Sequence, residues 1–243
     1  MSSPAMSPPP LVRSHAPVIP PMWVQEVARI EDEVLAAFRG FSAADVSDAV
    51  GALYTMSPSL RPLYEPMGRL VGRALTVKAP PGDSLAVHGA VSVCEPGDVL
   101  VVDWRGYVDS SAGGGGMLVE PIQRGLAGIV VDGAWRDVPD LKELNFPIFG
   151  RGTCSTSRAK TQLGEINVPV CCGGVIVNAG DLIIADAEAI VAVPRDQIAG
   201  VRAEVERVMR TAPPARASRK ALFQGVFEAA GGVTRAWHEA EAG

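Results

Sequence analysis

The chain has 243 residues, of which 47% are hydrophobic and 20% are charged, and its formal net charge is −5. This length allows one large domain or two small ones, and the hydrophobic fraction excludes a wholly disordered chain. No apolar run approaches the roughly 20 residues that span a bilayer, so we expect no membrane partner. The acidic balance argues against a nucleic-acid partner, because sequence-independent nucleic-acid binding depends on positive charge.

Proline dominates the N-terminal segment. Seven of residues 1–22 are prolines, which predicts an extended arm and disfavours a helix or a strand. The segment also lacks the apolar stretch of a secretory signal.

No Cys-x-x-Cys spacing occurs among the four cysteines, Cys94, Cys154, Cys171 and Cys172. We therefore expect a cytoplasmic protein with buried or half-buried free thiols.

The first elements after the arm are predicted to be helices. Apolar residues recur at helical spacing in Pro21–Arg39, namely Trp23, Val27, Ile30, Val34 and Phe38. This spacing predicts an amphipathic helix. Ser42 followed by Asp45 is a capping box, which predicts a second helix as far as Leu53. The alternation of apolar and polar residues in Arg69–Lys78 predicts a strand.

From Ser84 onward, predicted helices and strands alternate. In order, they are a helix over Ser84–Val93, a buried strand over Val99–Asp103, a helix over Met117–Arg124, a buried strand over Gly128–Asp132, a helix over Val138–Leu144 and a strand over Pro147–Phe149. Ile166–Val193 is typical of successive strands with glycine turns, and Arg195–Arg210 is typical of an amphipathic helix. This order predicts the α/β fold class.

Four consecutive glycines, Gly113–Gly116, precede one predicted helix. Glycine lets the backbone approach a ligand closely, and a helix N-terminus offers unpaired N–H groups. The run therefore predicts a site for a carboxylate or a phosphate, with a flexible surface loop as the alternative. A dinucleotide site is disfavoured, because Leu118 follows where that fingerprint has its third glycine.

Two aspartates and an arginine follow the buried strand Gly128–Asp132. Asp132, Arg136 and Asp137 lie within six residues, at the strand end where α/β sheets bind ligands. An aspartate oxygen suits Mg²⁺ or Mn²⁺, and an arginine fork binds carboxylates. The alternative is that Asp137 caps the next helix and pairs with Arg136.

Other kinds of catalytic site lack their motifs. The three histidines, His15, His88 and His238, have no metal-binding spacing, which disfavours zinc chemistry. Gly-x-Ser-x-Gly and the nucleotide phosphate loop are both absent from the sequence. None of the four lysines lies in the two motifs above, so a Schiff-base mechanism is disfavoured.

Four segments, in order over residues 42–196, carry a family resemblance. They are PPGDSLAVHGAV, PGDVLVVD, RGLAGIVVDGAWRDVPDLKELNFPIFGRG and VPVCCGGVIVNAGDLIIADAEAIVAVPRD. The sequence resembles the regulator of ribonuclease activity A-like proteins, which include the divalent-metal-dependent 4-hydroxy-4-methyl-2-oxoglutarate aldolases. The resemblance implies a swivelling β/β/α sandwich-like α/β domain, which we place with its N-terminal helices over residues 23–212. The C-terminal helical tail over residues 213–243, after Pro213 and Pro214, is predicted from the sequence and lies outside the resemblance. The resemblance also implies a homotrimer or a hexamer with active sites between subunits.

The same resemblance implies a carbon–carbon lyase acting on a 2-oxo acid, either by retro-aldol cleavage or by decarboxylation of oxaloacetate. Both reactions pass through a pyruvate enolate. Asp137 would bind Mg²⁺ or Mn²⁺, and Arg136 would contact the 2-oxo acid and stabilise the developing charge. Four backbone amides would hold the substrate carboxylate, those of Gly114, Gly115, Gly116 and Met117.

The chain differs from the active aldolases of that family in two places. They carry an acidic residue at the position of Gly115, and a neighbouring subunit supplies a glutamate, for which Glu204 and Glu206 are the candidates here.

Two alternative functions stay open. One is a non-catalytic regulatory binding protein, for which the basic stretch Arg207–Lys220 is a candidate contact, although such a run is more often a solvated face. The other is a different enolate-type reaction on the same scaffold.

Overall fold

The structure is a computed structural model that describes residues 19–211 and 219–232. It divides into two compact units, one ending at Arg195 and the other beginning at Asp196. Most of the predicted arm over residues 1–22 and part of the basic stretch Arg207–Lys220 lie outside the described residues. The domain limits inferred from the sequence therefore stay predictions.

Helices and strands alternate through most of the first unit. The helices of the first unit are α1 (Asp32–Phe38), α2 (Ala43–Val50), α3 (Leu85–Val93), α4 (Val119–Arg124) and α5 (Val138–Glu143), and those of the second unit are α6 (Ile198–Thr211) and α7 (Arg219–Ala229). The strands are β1 (Arg61–Pro62), β2 (Leu70–Lys78), β3 (Asp98–Ser111), β4 (Gly128–Trp135), β5 (Ile148–Gly150), β6 (Gly152–Thr153), β7 (Glu165–Ile166), β8 (Val170–Cys172), β9 (Val175–Val177), β10 (Leu182–Ala185) and β11 (Ile190–Val193). Within the described part of the chain, no helix has the length and apolar character needed to cross a bilayer.

One mixed sheet organises the first unit. Its strand order is β1-β5-β4-β3-β2-β10-β11, with β6 added beside β4 and β7 beside β2. Strands β2 to β5 run parallel to one another, and α3, α4 and α5 connect them in sequence. This is the α/β arrangement expected from the sequence. Because the four strands are parallel, their carboxyl ends meet at one edge, where α/β sheets bind ligands.

The sheet is buried on both faces. On one face, α3 and α5 pack against sheet residues such as Leu100 and Ile129, which are fully buried. On the other face, the β8–β9 ribbon packs against Val101 and Val130, also fully buried. Burial on both faces explains why the first part of β3, residues 99–102, and the first part of β4, residues 128–131, are continuous apolar runs in the sequence.

The predicted helix over Pro21–Arg39 is wrong for its first half. Only Asp32–Phe38 is helical, and the chain before it pairs with β7. The Val24 N–H donates to the Ile166 carbonyl at 3.1 Å, and the Ile166 N–H donates to the Met22 carbonyl at 3.0 Å. Pairing with a strand distant in sequence satisfies these backbone groups, and the helical spacing of apolar residues carries no information about that partner.

The capping box at the second helix is confirmed. The Asp45 N–H donates to Ser42 Oγ at 3.0 Å, and the Ser42 N–H donates to Asp45 Oδ2 at 3.3 Å. The helix ends at Val50 and does not reach Leu53, because Gly51 has φ of 83°. That left-handed backbone stops the helical hydrogen-bond pattern.

All four cysteines are free thiols, as the sequence predicts. Cys94 and Cys172 are buried, Cys154 is half-buried and Cys171 is exposed, so the expectation of burial is wrong for Cys171. Burial raises the pKa of the Cys94 thiol and of the Cys172 thiol. Both thiols are therefore poor nucleophiles near neutral pH.

Candidate functional site

The glycine loop, Gly113–Met117, leaves the end of β3 and lies beside the end of β4. The Arg136 N–H donates to the Gly113 carbonyl at 3.2 Å. A Cβ at Gly113 would lie 2.0 Å from the ring of Trp135, which is fully buried. The loop therefore takes this path only because position 113 has no side chain.

Arg136 and Asp137 both face the glycine loop. The Gly115 N–H donates to Asp137 Oδ2 at 3.1 Å, and Arg136 Nε lies 3.6 Å from the same oxygen. A Cβ at Gly114 would lie 2.5 Å from Asp137 Oδ2 and 2.9 Å from Arg136 Nε. Arg136 Nε is buried and has no hydrogen-bond partner among the residues that the structure describes. The two motifs singled out in the sequence thus form one site.

The backbone of Asp137 is strained. Its φ of 56° and ψ of 32° place it in the left-handed region, which costs a non-glycine residue on the order of 1–3 kcal/mol. Asp137 precedes α5, but its side chain makes no capping hydrogen bond. The alternative interpretation is therefore confirmed for the N-cap position of Asp137 and for its ion pair with Arg136, but the carboxylate itself does not cap the helix. The strained backbone directs the carboxylate toward the glycine loop, where 40% of the side chain is exposed.

Two of the four amides that are predicted to hold a carboxylate already donate hydrogen bonds near the glycine loop. The Gly115 N–H donates to Asp137, and the Met117 N–H donates to the Gly114 carbonyl at 3.3 Å. The N–H groups of Gly114 and Gly116 have no acceptor within residues 19–211 and 219–232. Such N–H groups beside a guanidinium suit an anion. The predicted carboxylate contact by all four amides stays a prediction, and in this conformation two of the four are already engaged.

A cavity of about 570 Å³ adjoins Arg136 and Asp137. Tyr64, Lys142 and Cys154 also line it. This volume lies within the range of small-molecule sites. The cavity therefore has room for a substrate that contacts both motif residues.

Asp132 does not join this site, contrary to the expectation from the sequence. Its side chain is 8% exposed and forms an ion pair with Arg151, and it accepts a hydrogen bond from the Gly173 N–H at 3.0 Å. Successive side chains of a strand point to opposite faces, so Asp132 and the fully buried Trp135 lie on opposite sides of β4. Asp132 anchors the β8–β9 ribbon.

Sequence reasoning missed Arg158. Its Nε donates to Ser84 Oγ at 3.1 Å, its Nη1 donates to Ser111 Oγ at 3.2 Å, and its Nη2 lies 3.8 Å from Met117 Sδ. Ser111 is the last residue of β3, two positions before the glycine loop, and Met117 is the last residue of that loop. Arg158 lies in an irregular segment between β6 and β7, where neither periodicity nor a motif distinguishes it.

Sequence reasoning also missed Asp140. Its Oδ2 lies 3.6 Å from where a Cβ at Gly115 would be. The family resemblance places an acidic residue at position 115, and here α5 brings a carboxylate beside it. Asp140 lies on α5, three residues after the N-cap residue Asp137, and that helical spacing was the available signal.

The two candidate glutamates of α6 are engaged in ion pairs. Glu204 Oε1 lies 2.6 Å from Arg207 Nη2, and Glu206 Oε1 lies 2.8 Å from Arg202 Nε. All four side chains are at least 37% exposed. Their assignment to a neighbouring active site stays a prediction.

Asp137 has the properties of a ligand for a hydrated divalent cation. The described residues contain no group of three or more His, Cys, Asp or Glu side chains that could enclose a metal ion. Mg²⁺ does not need such a cage, because it keeps several waters and uses one or two carboxylates together with substrate oxygens. Oδ1 of Asp137 has no hydrogen-bond partner in the part of the chain that the structure describes, and its carboxylate faces solvent. The site therefore fits a metal held by Asp137 and water.

Asp83 anchors the segment that carries Arg158. Its Oδ2 accepts hydrogen bonds from the Thr161 N–H, Thr161 Oγ1 and the Gln162 N–H, at 2.8 to 2.9 Å, and its Oδ1 accepts from the Leu85 N–H at 3.1 Å. Burial alone would raise the pKa of this carboxyl, but the four hydrogen bonds outweigh it and the pKa lies below its usual value. Asp83 therefore stabilises the fold as a carboxylate.

We expect Asp83→Asn to lower the free energy of unfolding by about 1–3 kcal/mol at pH 7, because an amide cannot accept all four hydrogen bonds. A depressed folded-state pKa gives stability above the unfolded value near about 3.9 and loses it as the pH falls through the folded value. Urea unfolding should therefore show the gap between wild type and variant shrinking as the pH falls below about 4. Asp109→Asn, at an exposed position, is the control. A gap that stays constant down to pH 3 would contradict this assignment.

Comparison with known proteins agrees with this fold. A model of the RraA-like family, described as Aldolase/RraA, matches residues 43–192. A protein of Halalkalibacterium halodurans, provisionally named a 4-hydroxy-4-methyl-2-oxoglutarate aldolase, is 40% identical over 171 residues, which are 70% of this chain and 81% of that protein. The 4-hydroxy-4-methyl-2-oxoglutarate aldolase of Thermus thermophilus is 30% identical over 161 residues, 65% of this chain and 94% of that protein.

A solved structure shows the same architecture. The crystal structure of Streptomyces coelicolor RraAS2, described as an unusual member of the RNase ES inhibitor RraA protein family, matches with a TM-score of 0.66 and 29% identity. The match covers 76% of this chain and 100% of that chain, and it confirms the predicted fold class. The residues matched by the family model contain the glycine loop, Arg136, Asp137 and Arg158. The chain therefore belongs to the RraA-like family.

Proposed function

We propose that this protein is a divalent-metal-dependent lyase that cleaves a carbon–carbon bond in a 2-oxo acid and releases pyruvate. The observation that carries the proposal is the meeting of Arg136 and Asp137 with a glycine loop in which the Gly114 and Gly116 N–H groups have no acceptor among the described residues. The names of the relatives in Halalkalibacterium halodurans and Thermus thermophilus support the same class of reaction. The proposed substrates are 4-hydroxy-2-oxo acids and oxaloacetate.

Both proposed reactions develop negative charge on the substrate, and the site must stabilise that charge. In the retro-aldol reaction the C4 hydroxyl loses its proton, the C3–C4 bond breaks, and the electron pair moves onto the 2-oxo oxygen as an enolate. A proton added at C3 then gives pyruvate. In oxaloacetate the bond to the C4 carboxylate breaks in the same way and carbon dioxide leaves. A Mg²⁺ or Mn²⁺ ion at Asp137 would supply Lewis-acid polarisation of the 2-oxo group.

The chain's own residues bind and orient the substrate. The N–H groups of Gly114 and Gly116 donate to the substrate carboxylate, and Arg136 donates through its unpartnered Nε–H or its terminal N–H groups to the oxygen that gains charge. Donors fixed in advance stabilise the transition state because they need no reorganisation. Since Arg136 and Asp137 are 37% and 40% exposed, solvent water reaches the site for the proton transfers. Asp140, beside Gly115, is proposed to hold such a water.

The test is pyruvate release from oxaloacetate and from 4-hydroxy-2-oxoglutarate, with the uncatalysed rate subtracted. We expect activity with Mg²⁺ or Mn²⁺, loss of activity with a chelator and recovery when the metal is restored.

The variant Asp137→Asn tests the metal ligand. It keeps an oxygen for the Gly115 N–H and tolerates a left-handed backbone, but it loses the negative charge. It should raise the Mn²⁺ concentration needed for half-saturation at least about tenfold, measured by Mn²⁺ electron paramagnetic resonance. Chelator-insensitive turnover, or unchanged Mn²⁺ binding in the variant, would overturn the proposal.

A second candidate function is a regulatory binding protein without turnover. The likeness to Streptomyces coelicolor RraAS2, described as a member of the RNase ES inhibitor RraA protein family, favours it. So does the absence of a side chain at Gly115, where the resemblance places an acidic residue. The two functions separate in the same assay, because the regulatory protein would release no pyruvate with either metal.

The proposal includes assembly as a homotrimer or a pair of trimers with active sites between subunits. The exposure of Arg136 and Asp137 in a single chain agrees with a site that a neighbour could complete. Glu204 and Glu206 are the residues proposed to reach a neighbouring site. Sedimentation equilibrium should give three or six times the 25.4 kDa chain mass, and a monomer would contradict this part of the proposal.

A further inference from the structure

Another cavity, of about 630 Å³, lies at the carboxyl end of β2. It shares no lining residue with the cavity of the candidate site. Its lining comes from the end of β2, from β3 and from two irregular segments, namely Lys78, Arg105 and residues 19–21, 79–81 and 161–165. The volume lies within the range of small-molecule sites, and α/β sheets bind ligands at the carboxyl ends of their parallel strands.

Backbone hydrogen bonds hold the walls of this cavity in place. Strand β7 pairs with the end of β2, and the Ile166 N–H of β7 donates to the Met22 carbonyl, next to the N-terminal segment that lines the cavity. The N–H groups of Thr161 and Gln162 donate to the buried Asp83. The cavity is therefore preformed, and a ligand that enters it pays little for ordering the chain.

Arg105 lies in a β-bulge of β3. The pairing of β3 with β4 changes register between Val102 and Tyr107, and Arg105 has φ of 54°. Its N–H donates to Asp103 Oδ1 at 3.1 Å, while Asp103 Oδ2 accepts from the Cys171 N–H at 3.4 Å. The Asp103 carboxylate thus holds the bulge and β8 together. Bulges redirect side chains, and strained residues concentrate at ligand sites; here the strained residue lines the cavity.

The cavity carries one positive charge that is not neutralised. Lys78 Nζ lies 2.7 Å from Glu165 Oε2, so these two lining charges offset each other. The Arg105 side chain is exposed and forms no hydrogen bond or ion pair with any residue in the ranges 19–211 and 219–232. A free guanidinium fork at the wall of a cavity suits a carboxylate.

Much of the remaining wall is apolar and rigid. Pro20, Pro21, Pro80 and Pro81 line the cavity together with Leu163, which is 64% exposed. The proline rings fix the backbone of their segments, and covering an exposed leucine removes apolar surface from water. The wall therefore suits the hydrocarbon part of a ligand.

We infer that this cavity is a binding site for a monocarboxylate with an apolar ring system. Arg105 binds the carboxylate, and the four prolines and Leu163 cover the rings. A phosphate monoester fits less well, because it carries a second charge and no second unpaired cation occurs among the described lining residues. The cavity is separate from the one beside Arg136 and Asp137, so the inference does not depend on the proposed function.

The test is calorimetric titration of the full-length protein with 2-naphthoate and two matched probes. 2-Naphthamide keeps the rings and loses the charge, whereas acetate keeps the charge and loses the rings. Both should bind at least about tenfold more weakly than 2-naphthoate, because each lacks one of the two contacts. Equal binding of 2-naphthoate and 2-naphthamide would overturn the inference. So would the absence of 2-naphthoate binding, the result expected if another part of the chain or a second copy fills the cavity.

Arg105→Asn tests the guanidinium, because asparagine tolerates the left-handed backbone but is neutral. It should weaken 2-naphthoate binding at least about tenfold and change 2-naphthamide binding by less than about twofold. Arg39→Asn, at an exposed position outside the cavity, is the control and should bind both probes as wild type does. Unchanged affinity of Arg105→Asn for 2-naphthoate would overturn the inference.

Two more variants locate the probe and guard against misfolding. Arg136→Met should keep the affinity of wild type for 2-naphthoate. Loss of binding in this variant and not in Arg105→Asn would place the anion in the other cavity and overturn the inference. If Arg105→Asn does not fold, Leu163→Ser should weaken 2-naphthoate binding at least about threefold and leave acetate binding unchanged. A Leu163→Ser variant that binds 2-naphthoate as wild type does would also contradict the assignment.

Discussion

Replacing Arg136 with methionine is expected to lower kcat/KM for pyruvate release about 10²- to 10³-fold, the loss found when one donor to a developing oxyanion is removed. Its Nε has no hydrogen-bond partner in the described part of the chain, and 37% of the side chain is exposed. The free energy of unfolding should therefore change by less than about 1 kcal/mol. The measurements are steady-state kinetics with a coupled pyruvate assay and urea unfolding.

Arg29→Met is the matched control for Arg136→Met. The Arg29 side chain is 69% exposed and pairs with Glu95 at 2.9 Å, outside the candidate site. Its loss should cost at most about 1 kcal/mol and leave turnover unchanged. If Arg136→Met turned over substrate at the rate of the control, Arg136 would not stabilise the enolate and the proposed mechanism would be wrong.

The second large effect is expected at Gly114. A Cβ there would lie 2.5 Å from Asp137 Oδ2 and 2.9 Å from Arg136 Nε, so Gly114→Ala must displace the two side chains that carry the proposed chemistry. Displacement of a reacting group by about 1 Å costs on the order of 10²-fold in rate. We therefore expect kcat/KM to fall at least about 100-fold, while circular dichroism shows an intact fold.

Gly68→Ala is the control for Gly114→Ala, because a Cβ at Gly68 has no atom within 4 Å. It should keep full activity. Gly116→Ala tests the same loop at a position where a Cβ also meets nothing within 4 Å, and its loss should be much smaller than that of Gly114→Ala. Equal activity of the two loop variants would contradict the close approach of Arg136 and Asp137 to Gly114.

Much of the fold could be predicted from local pattern. Residues 99–102 of β3 and 128–131 of β4 are apolar runs that are buried, and Ser42 with Asp45 caps α2 as its spacing predicts. The helix over Pro21–Arg39 could not be predicted correctly, because the first part of that segment pairs with β7, more than 140 positions later. Helical periodicity shows only that an apolar face is possible. It does not show whether the backbone N–H and C=O groups are paired within a helix or with a distant strand.

For the site, the residue types and their order in the chain identified Arg136, Asp137 and the glycine loop. This was possible because the turns that follow parallel strands lie at the same edge of a sheet. Asp132 was wrongly grouped with them, because the side to which a strand residue points depends on the register of the whole strand. Arg158 was not found, since its irregular segment reaches the glycine loop only through the buried hydrogen bonds of Asp83.

The sequence by itself determined the α/β class and located the two motifs, because these depend on residue chemistry and on neighbours a few positions apart. Tertiary structure alone decided that Asp137 adopts a left-handed backbone and faces Gly115, and that Arg158 joins the site. Those features depend on contacts between segments far apart in the chain, whose close packing no local pattern encodes.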